Sequence, residues 1–264
     1  MGIFETVTEL PQDEAPKEQL DRIIQRYNWA ASFASKDSDV LEIACGPGIG
    51  SNCINELSKS YIGIDIDNEL INIAKENNVG IEFKVLDIES DNLFQHKKFD
   101  LIIIFEAIYY IKNIDNFFSK IHKLLNKSGK LLICTANKNL IDFNKSNFSH
   151  NYFDTKDFVK IIDDKKFKIT SILGGYRIDK LSLRQKILRP IKALASKFNL
   201  IPKNMGNKLY LKKIFYGETM VKIPKRINKN FEVLSDMDTL DVNDRNNKHK
   251  VLYFVIEKTE QEIL

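Results

Sequence analysis

The segment Phe99–Phe105, FDLIIIF, carries an apolar side chain at every position but one. Successive side chains of a strand point to opposite faces, so this strand has no face to offer to water. It demands a sheet covered on both sides, as parallel sheets wrapped by helices are. The flanking sequence supplies that architecture. Strand patterns at 39–44, 61–65, 81–86, 130–135 and 167–173 alternate with helical patterns at 20–35, 49–57, 68–77, 114–125 and 155–163. In the first helix, Ile23, Ile24, Tyr27, Ala30, Ala31 and Ala34 recur at helical spacing. Asp154 or Thr155 can cap the last, and Ser128-Gly129 marks a turn before 130–135. Strict alternation implies an α/β, doubly wound, mainly parallel sheet with right-handed crossovers. Ligands of such sheets bind beyond the carboxyl ends of the strands.

The rhythm breaks after Leu173. About 75 residues precede one more strong strand at 251–257. Within them Leu183, Ile187, Ile191, Leu194 and Phe198 mark an amphipathic helix, which Pro190 should kink or break. Charge is uneven. Gly175 to Lys229 holds 15 Lys or Arg against two acids, Asp179 and Glu218, out of 40 and 36 in the chain. An acidic body therefore carries a basic segment, which suggests an anionic partner. The expected division is a polar arm at 1–19, a core at 20–173, a basic helical insert or lid at 174–250, and the last strand with its tail at 251–264.

Several function classes drop out. The chain has 264 residues, 43% hydrophobic and 29% charged, ordinary for a folded globular protein. Its apolar runs fall far short of the roughly 20 residues that span a bilayer. The N-terminus lacks the basic and apolar stretches of a secretory signal. Cys45, Cys53 and Cys134 form no C-x-x-C pair, so a cytoplasmic location with reduced thiols is expected. No His/Cys cluster has zinc spacing, so no metal site is expected. The basic segment lacks a stacking platform, which argues against nucleic acid.

The chemistry lies between Val40 and Asp67. A strand ends in an acid, Glu42, and runs into Gly46-Pro47-Gly48-Ile49-Gly50; a helix and a strand ending in Asp65 follow. Glycines there let a ligand approach the backbone. Asp65 can accept hydrogen bonds from both hydroxyls of a ribose. A dinucleotide turn wants G-x-G-x-x-G, but the spacing here is G-x-G-x-G. Glu42 would repel a pyrophosphate and suits an ammonium or sulfonium. No Gly-Lys-Ser/Thr follows, so a P-loop is excluded. The reading is a nucleoside-cofactor site; the alternative is a glycine-rich turn with no ligand.

With these motifs the chain resembles the class I methyltransferases that use S-adenosylmethionine (SAM), over about 25–173 and again at 251–257. The resemblance implies a Rossmann-like, seven-stranded sheet whose last strand inserts antiparallel beside the 167–173 strand. It implies that Glu42, Ala44, Gly46 and Gly48 form the first motif, with Asp65 and Ile66 at the ribose. Asp87 and Ile88 would hold the adenine, and Phe105 would lie in the segment under the methyl group. Lys127-Ser128-Gly129 stands where the family has Pro-Gly-Gly. SAM would be the cofactor and S-adenosylhomocysteine the product. ACGPGIGS, Arg26-Tyr27 and the 182–205 stretch resemble methyltransferases of bacterial polysaccharide and flagellar-glycan gene clusters. That narrower likeness implies a sugar hydroxyl or amine acceptor on a glycan, nucleotide sugar or glycosylated protein such as flagellin.

For catalysis, a hydroxyl acceptor needs a general base. His150 is the best placed; otherwise it is an ordinary loop histidine. Tyr110 lines the acceptor pocket or packs on Tyr109, and a phenol is a poor base near neutrality. Arg26 and Tyr27 reach the methionine carboxylate, or cap and pack a helix. Cys45 is either a reactive thiol or a small residue in a tight turn. The basic segment binds a phosphorylated acceptor, makes peripheral contact with an anionic membrane, or is merely solvated. Two other functions stay open: a membrane-associated methyltransferase of lipids or other small molecules, and a non-catalytic SAM-fold partner protein.

Overall fold

The computed structural model describes residues 9–90, 94, 97–146, 148–163, 166–198, 200, 207, 210, 211, 213, 214, 220–228, 237–243 and 246–259. In chain order the elements are β1 (Glu14–Pro16), α1 (Lys17–Ala31), β2 (Asp39–Ile43), α2 (Ser51–Asn55), β3 (Ser60–Asp65) and α3 (Asn68–Asn77). Then come β4 (Glu82–Val85), β5 (Phe99–Phe105), α4 (Ile114–Leu124), β6 (Leu125–Ala136), α5 (Thr155–Asp163) and β7 (Phe167–Arg177). The last are α6 (Leu183–Lys197), β8 (Met220–Lys222), β9 (Asp238–Thr239) and β10 (His249–Lys258).

The main sheet runs β4-β3-β2-β5-β6-β10-β7-β9. The strands from β4 to β6 pair in parallel, while β10 is antiparallel to both β6 and β7. Eight strands among the described residues replace the expected seven. The extra one, β9, is a two-residue edge strand on Leu173 and Gly174.

β5 bears out its sequence. Ile102 and Ile104 face a layer that includes α4 and α5 through Phe117, Phe118, Ile121 and Phe158. Leu101, Ile103 and Phe105 face α1, α2 and α3 through Ile23, Tyr27, Ile54 and Ile71. Its one polar residue, Asp100, has a structural task. It accepts from the Asp39 backbone N–H at 2.9 Å and from Asn126 Nδ2 at 2.5 Å. That second bond closes a bulge: Phe99 pairs with Leu125 but Leu101 pairs with Lys130. The expected Ser128-Gly129 turn is therefore an excursion within β6. A Cβ on Gly129 would lie 3.0 Å from the Phe99 carbonyl oxygen, so a side chain there would crowd the bulge.

Other boundaries move. The polar arm is partly structured, since 14–16 form β1 against β8 and the helix already starts at Lys17. The 49–57 helix shrinks to α2. α6 runs unbroken through Pro190. The missing N–H there sacrifices one bond, to the carbonyl of Lys186, a residue at the solvent face. A capping box between Ser182 and Gln185 secures its start. His249, at the head of β10, is buried between Asn246 (Nδ1–Oδ1 2.9 Å) and Asp238 (Nε2–Oδ2 2.6 Å). It thereby ties β9 to β10.

Phe254 on β10 is fully buried and meets Phe158 of α5 at 4.4 Å between ring centroids. Phe254→Ala is expected to cost about 3–5 kcal/mol of stability, read from denaturant unfolding.

Candidate functional site

The carboxyl ends of β2, β3, β4, β5 and β6 share one edge of the sheet, and the motif residues gather there. Past β2 the backbone enters the left-handed region at Ala44 (φ 56°), Gly46 (φ 55°) and Gly48 (φ 69°). The Cys45 N–H donates to the Ile64 carbonyl at 3.0 Å, which fastens this turn to β3. The three glycines of the loop then serve different ends. A Cβ on Gly46 would meet nothing within 4 Å, so its backbone borders open space. A Cβ on Gly48 would lie 2.9 Å from Asn78 Nδ2, and one on Gly50 would lie 2.2 Å from the Tyr27 ring. Gly46 thus faces the cleft, whereas Gly48 and Gly50 admit the chain's own side chains.

Asp65 closes the cradle from the tip of β3. Its Oδ2 accepts from the Gly46 N–H and its Oδ1 from the Asp67 N–H, both at 2.9 Å. Burial raises its carboxyl above the usual aspartate range, and these backbone donors oppose the rise. Beside it Ile66 is 53% exposed, an apolar surface at the rim. Asp87 is exposed and accepts from the Glu89 N–H at 2.8 Å; Ile88 is buried behind it.

Glu42 lies beneath the loop, not in the cleft. It is buried, accepting from the Tyr27 hydroxyl at 2.6 Å and from the Tyr61 hydroxyl. The Tyr61 oxygen in turn accepts from the Ser51 hydroxyl, with Oγ at 2.8 Å. Burial drives the Glu42 carboxyl up to about 6, against the pull of the two tyrosine hydrogen bonds. Burial likewise pushes both phenols well above their ordinary range, so they remain donors. Tyr27 is spent in this clamp. Its ring also packs edge-on against Phe105 at 5.4 Å.

Arg26 is buried, its guanidinium 6.0 Å from the centre of the Phe105 ring. Its two terminal nitrogens grip the carboxylate of Glu9, Nη1 at 3.2 Å from Oε1. Glu106 follows Phe105 with a left-handed φ of 50°. Burial pushes its carboxyl up, offset by Arg26 and Arg22. Cys45 is buried, and desolvation with Glu42 and Asp65 nearby pushes its thiol up, which favours the small-residue reading.

The turn after β5, which carries Tyr110, meets the loop after β6, which carries His150. The His150 N–H donates to the Tyr109 carbonyl at 2.8 Å, and its side chain is exposed. The Tyr110 hydroxyl lies 3.0 Å from Ser146 Oγ. Tyr109 stacks on Tyr152 at 4.4 Å and meets Tyr110 edge-on at 4.6 Å, so aromatic rings stand behind Tyr110. His122 packs on Phe167, away from this edge, and His96 lies outside the described residues.

Sequence reasoning missed Tyr61, Glu9 and the second role of Gly50. Tyr61 was accessible: Glu42 pairs with Gly63, and a period of two puts Tyr61 on the same face. Glu9 carried no signal.

A profile of the methyltransferase domain matches residues 34–232. The chain belongs to the class I methyltransferase domain family, whose methyl donor is SAM. Among relatives, it is 37% identical over 109 residues to a ubiquinone biosynthesis O-methyltransferase of Pelagibacter ubique, covering 40% of this chain and 45% of that one. A ubiquinone biosynthesis O-methyltransferase of Chelativorans is 29% identical over 105 residues, 38% of this chain and 41% of that one. The matches thus span less than half the length of these relatives. An O-methyltransferase from a polyketide multienzyme of Brevibacillus brevis, solved with S-adenosylhomocysteine, shares the fold at 14% identity. Its TM-score is 0.53, with 92% of this chain and 76% of that one covered.

The raised Glu42 carboxyl gives a signed expectation. A folded-state value near 6, above the unfolded 4.5, favours the fold fully below pH 4.5. That contribution is lost as pH rises through about 6, on the order of 2 kcal/mol. Glu42→Gln should therefore lose less stability than the wild type between pH 4.5 and 7, measured by urea unfolding at each pH.

Proposed function

We propose that this domain transfers the methyl group of SAM to a hydroxyl of an acceptor that enters over the loop after β6. The observation that carries the reading is the open cradle at Gly46, closed by the Asp65 carboxylate at the tip of β3. The residues present fit the cofactor. Asp65 would take the ribose hydroxyls, Ile66 and Ile88 would flank the adenine, and Asp87 would accept from its amine. Arg26 would take the methionine carboxylate, and it already holds a carboxylate, that of Glu9. Phe105 would support the floor. Glu42 and Tyr27 would act through the loop they hold. When bound, SAM supplies a methyl group on a sulfonium, ready for in-line displacement.

The chain's own part is to align and to take a proton. Tyr110 borders the acceptor path. His150 would accept the acceptor hydroxyl's proton as the oxygen attacks. Proximity supplies most of the remaining rate. Two relatives named as O-methyltransferases favour a hydroxyl over an amine. The glycan acceptor drawn from the narrower sequence likeness has no counterpart among these relatives, so the proposal stops at the hydroxyl.

The test uses SAM labelled in its methyl group, the purified protein, and a lysate from cells lacking this gene. Label should enter an acceptor fraction as an alkali-stable ether. His150→Ala should lower turnover about 10²-fold or more at unchanged SAM affinity. Label in amines would overturn the hydroxyl assignment. SAM binding with no transfer would favour the non-catalytic reading. Full turnover in His150→Ala would remove that residue as base.

A further inference from the structure

A surface helix ordinarily buries its apolar stripe and shows water its polar face. α6 does the reverse. Leu183, Ile187, Ile191, Leu194 and Phe198 are each between 57% and 75% exposed. At 3.6 residues per turn they share an arc of about 80°. The opposite face is polar and holds the helix to the body. Gln185 is buried, Arg189 Nε and Lys192 Nζ bind the Asp142 carboxylate at 2.9 and 3.0 Å, and Ser196 Oγ donates to the Phe143 carbonyl at 2.8 Å. The helix is therefore anchored by ion pairs and hydrogen bonds on its polar face, and its apolar stripe is left largely to solvent.

We propose that α6 is a docking surface for an anionic lipid bilayer, lying in the membrane interface with its stripe among the acyl chains. Charge selects this occupant. On the helical wheel Arg184 borders one edge of the stripe and Lys186 and Lys197 border the other. From Lys180 to Gly217 the sequence has ten Lys or Arg and no acid. An apolar stripe edged by cations matches a headgroup layer that is negative above and apolar below. Long basic side chains there keep their heads in water while their stems lie on the stripe. A second copy docked by two-fold symmetry would instead bring the same cations together. Among the described residues no helix is long and apolar enough to cross a membrane, so the contact is one of surface docking.

The position adds a consequence. Asp142 and Phe143 belong to the loop after β6, the loop that also carries His150. Between that loop and α6 lies an open groove of about 720 Å³, lined by Ile141, Lys145, Leu194 and Lys197 among others. Docking through α6 would thus set the loop of His150 next to the lipid surface.

The test is flotation of the full chain with two vesicle compositions, phosphatidylcholine alone and phosphatidylcholine mixed with phosphatidylglycerol. The protein should float with the mixed vesicles only, and less as salt rises. Ile187→Glu with Ile191→Glu should weaken flotation by about tenfold or more. Both residues are exposed and neither belongs to the cradle, so SAM affinity should not change. Absence of flotation with anionic vesicles at low salt would overturn the proposal, as would flotation undiminished in the double variant. Loss of a dimer in the double variant, seen by sedimentation velocity without lipid, would assign the stripe to a second copy instead.

Discussion

A single buried carboxylate organises the cradle. Among the described residues no cation is bonded to Glu42 under the glycine loop, and the hydroxyls of Tyr27 and Tyr61 hold it from either side. A lone carboxylate in such a place is costly unless it is hydrogen-bonded, and here phenols do that work. The arrangement links three elements. Tyr27 comes from α1, Glu42 from β2 and Tyr61 from β3. The Tyr27 ring also occupies the room that the missing Cβ of Gly50 leaves. Loop, helix and strand thus hold one another, and Gly46 is left bordering open space.

The two-sided strand explains why the site is where it is. β5 is covered on both faces, so it offers a ligand no approach except at its end. The same holds for β2 and β3. Groups that can meet a small molecule must therefore come from the residues just past each strand: the Gly46 backbone and the side chains of Ile66, Asp87 and Glu106. Parallel strands bring these to one edge. β10 runs the other way and contributes its first residues to that edge, which is how His249 comes to pin β9 there.

Much of this was legible in sequence because it depends on period and spacing. FDLIIIF specified a central strand, and Glu42, Gly46 and Asp65 lie at intervals that a β-α-β step fixes. Asp65 lands at the tip of β3 for that reason. What depended on distant side chains was not legible. Nothing local tells that Glu42 would be sealed by Tyr27, or that Arg26 would grip Glu9, 17 residues upstream. The Ser128-Gly129 pair signals a change of direction, but a bulge inside β6 and a turn before it share the same residues. The spacing from Leu183 to Phe198 showed a stripe and not its direction. That direction is set by Arg189 and Lys192 finding Asp142, a pairing some 50 residues apart.

The central claim is that the space at Gly46 and Asp65 receives SAM. Calorimetric titration of SAM into the wild type and into Asp65→Ala, both checked for native circular dichroism, tests it directly. Saturable binding of one SAM per chain is expected, weakened about tenfold or more in the variant by loss of the carboxylate's hydrogen bonds. Equal SAM affinity in the two proteins would contradict it.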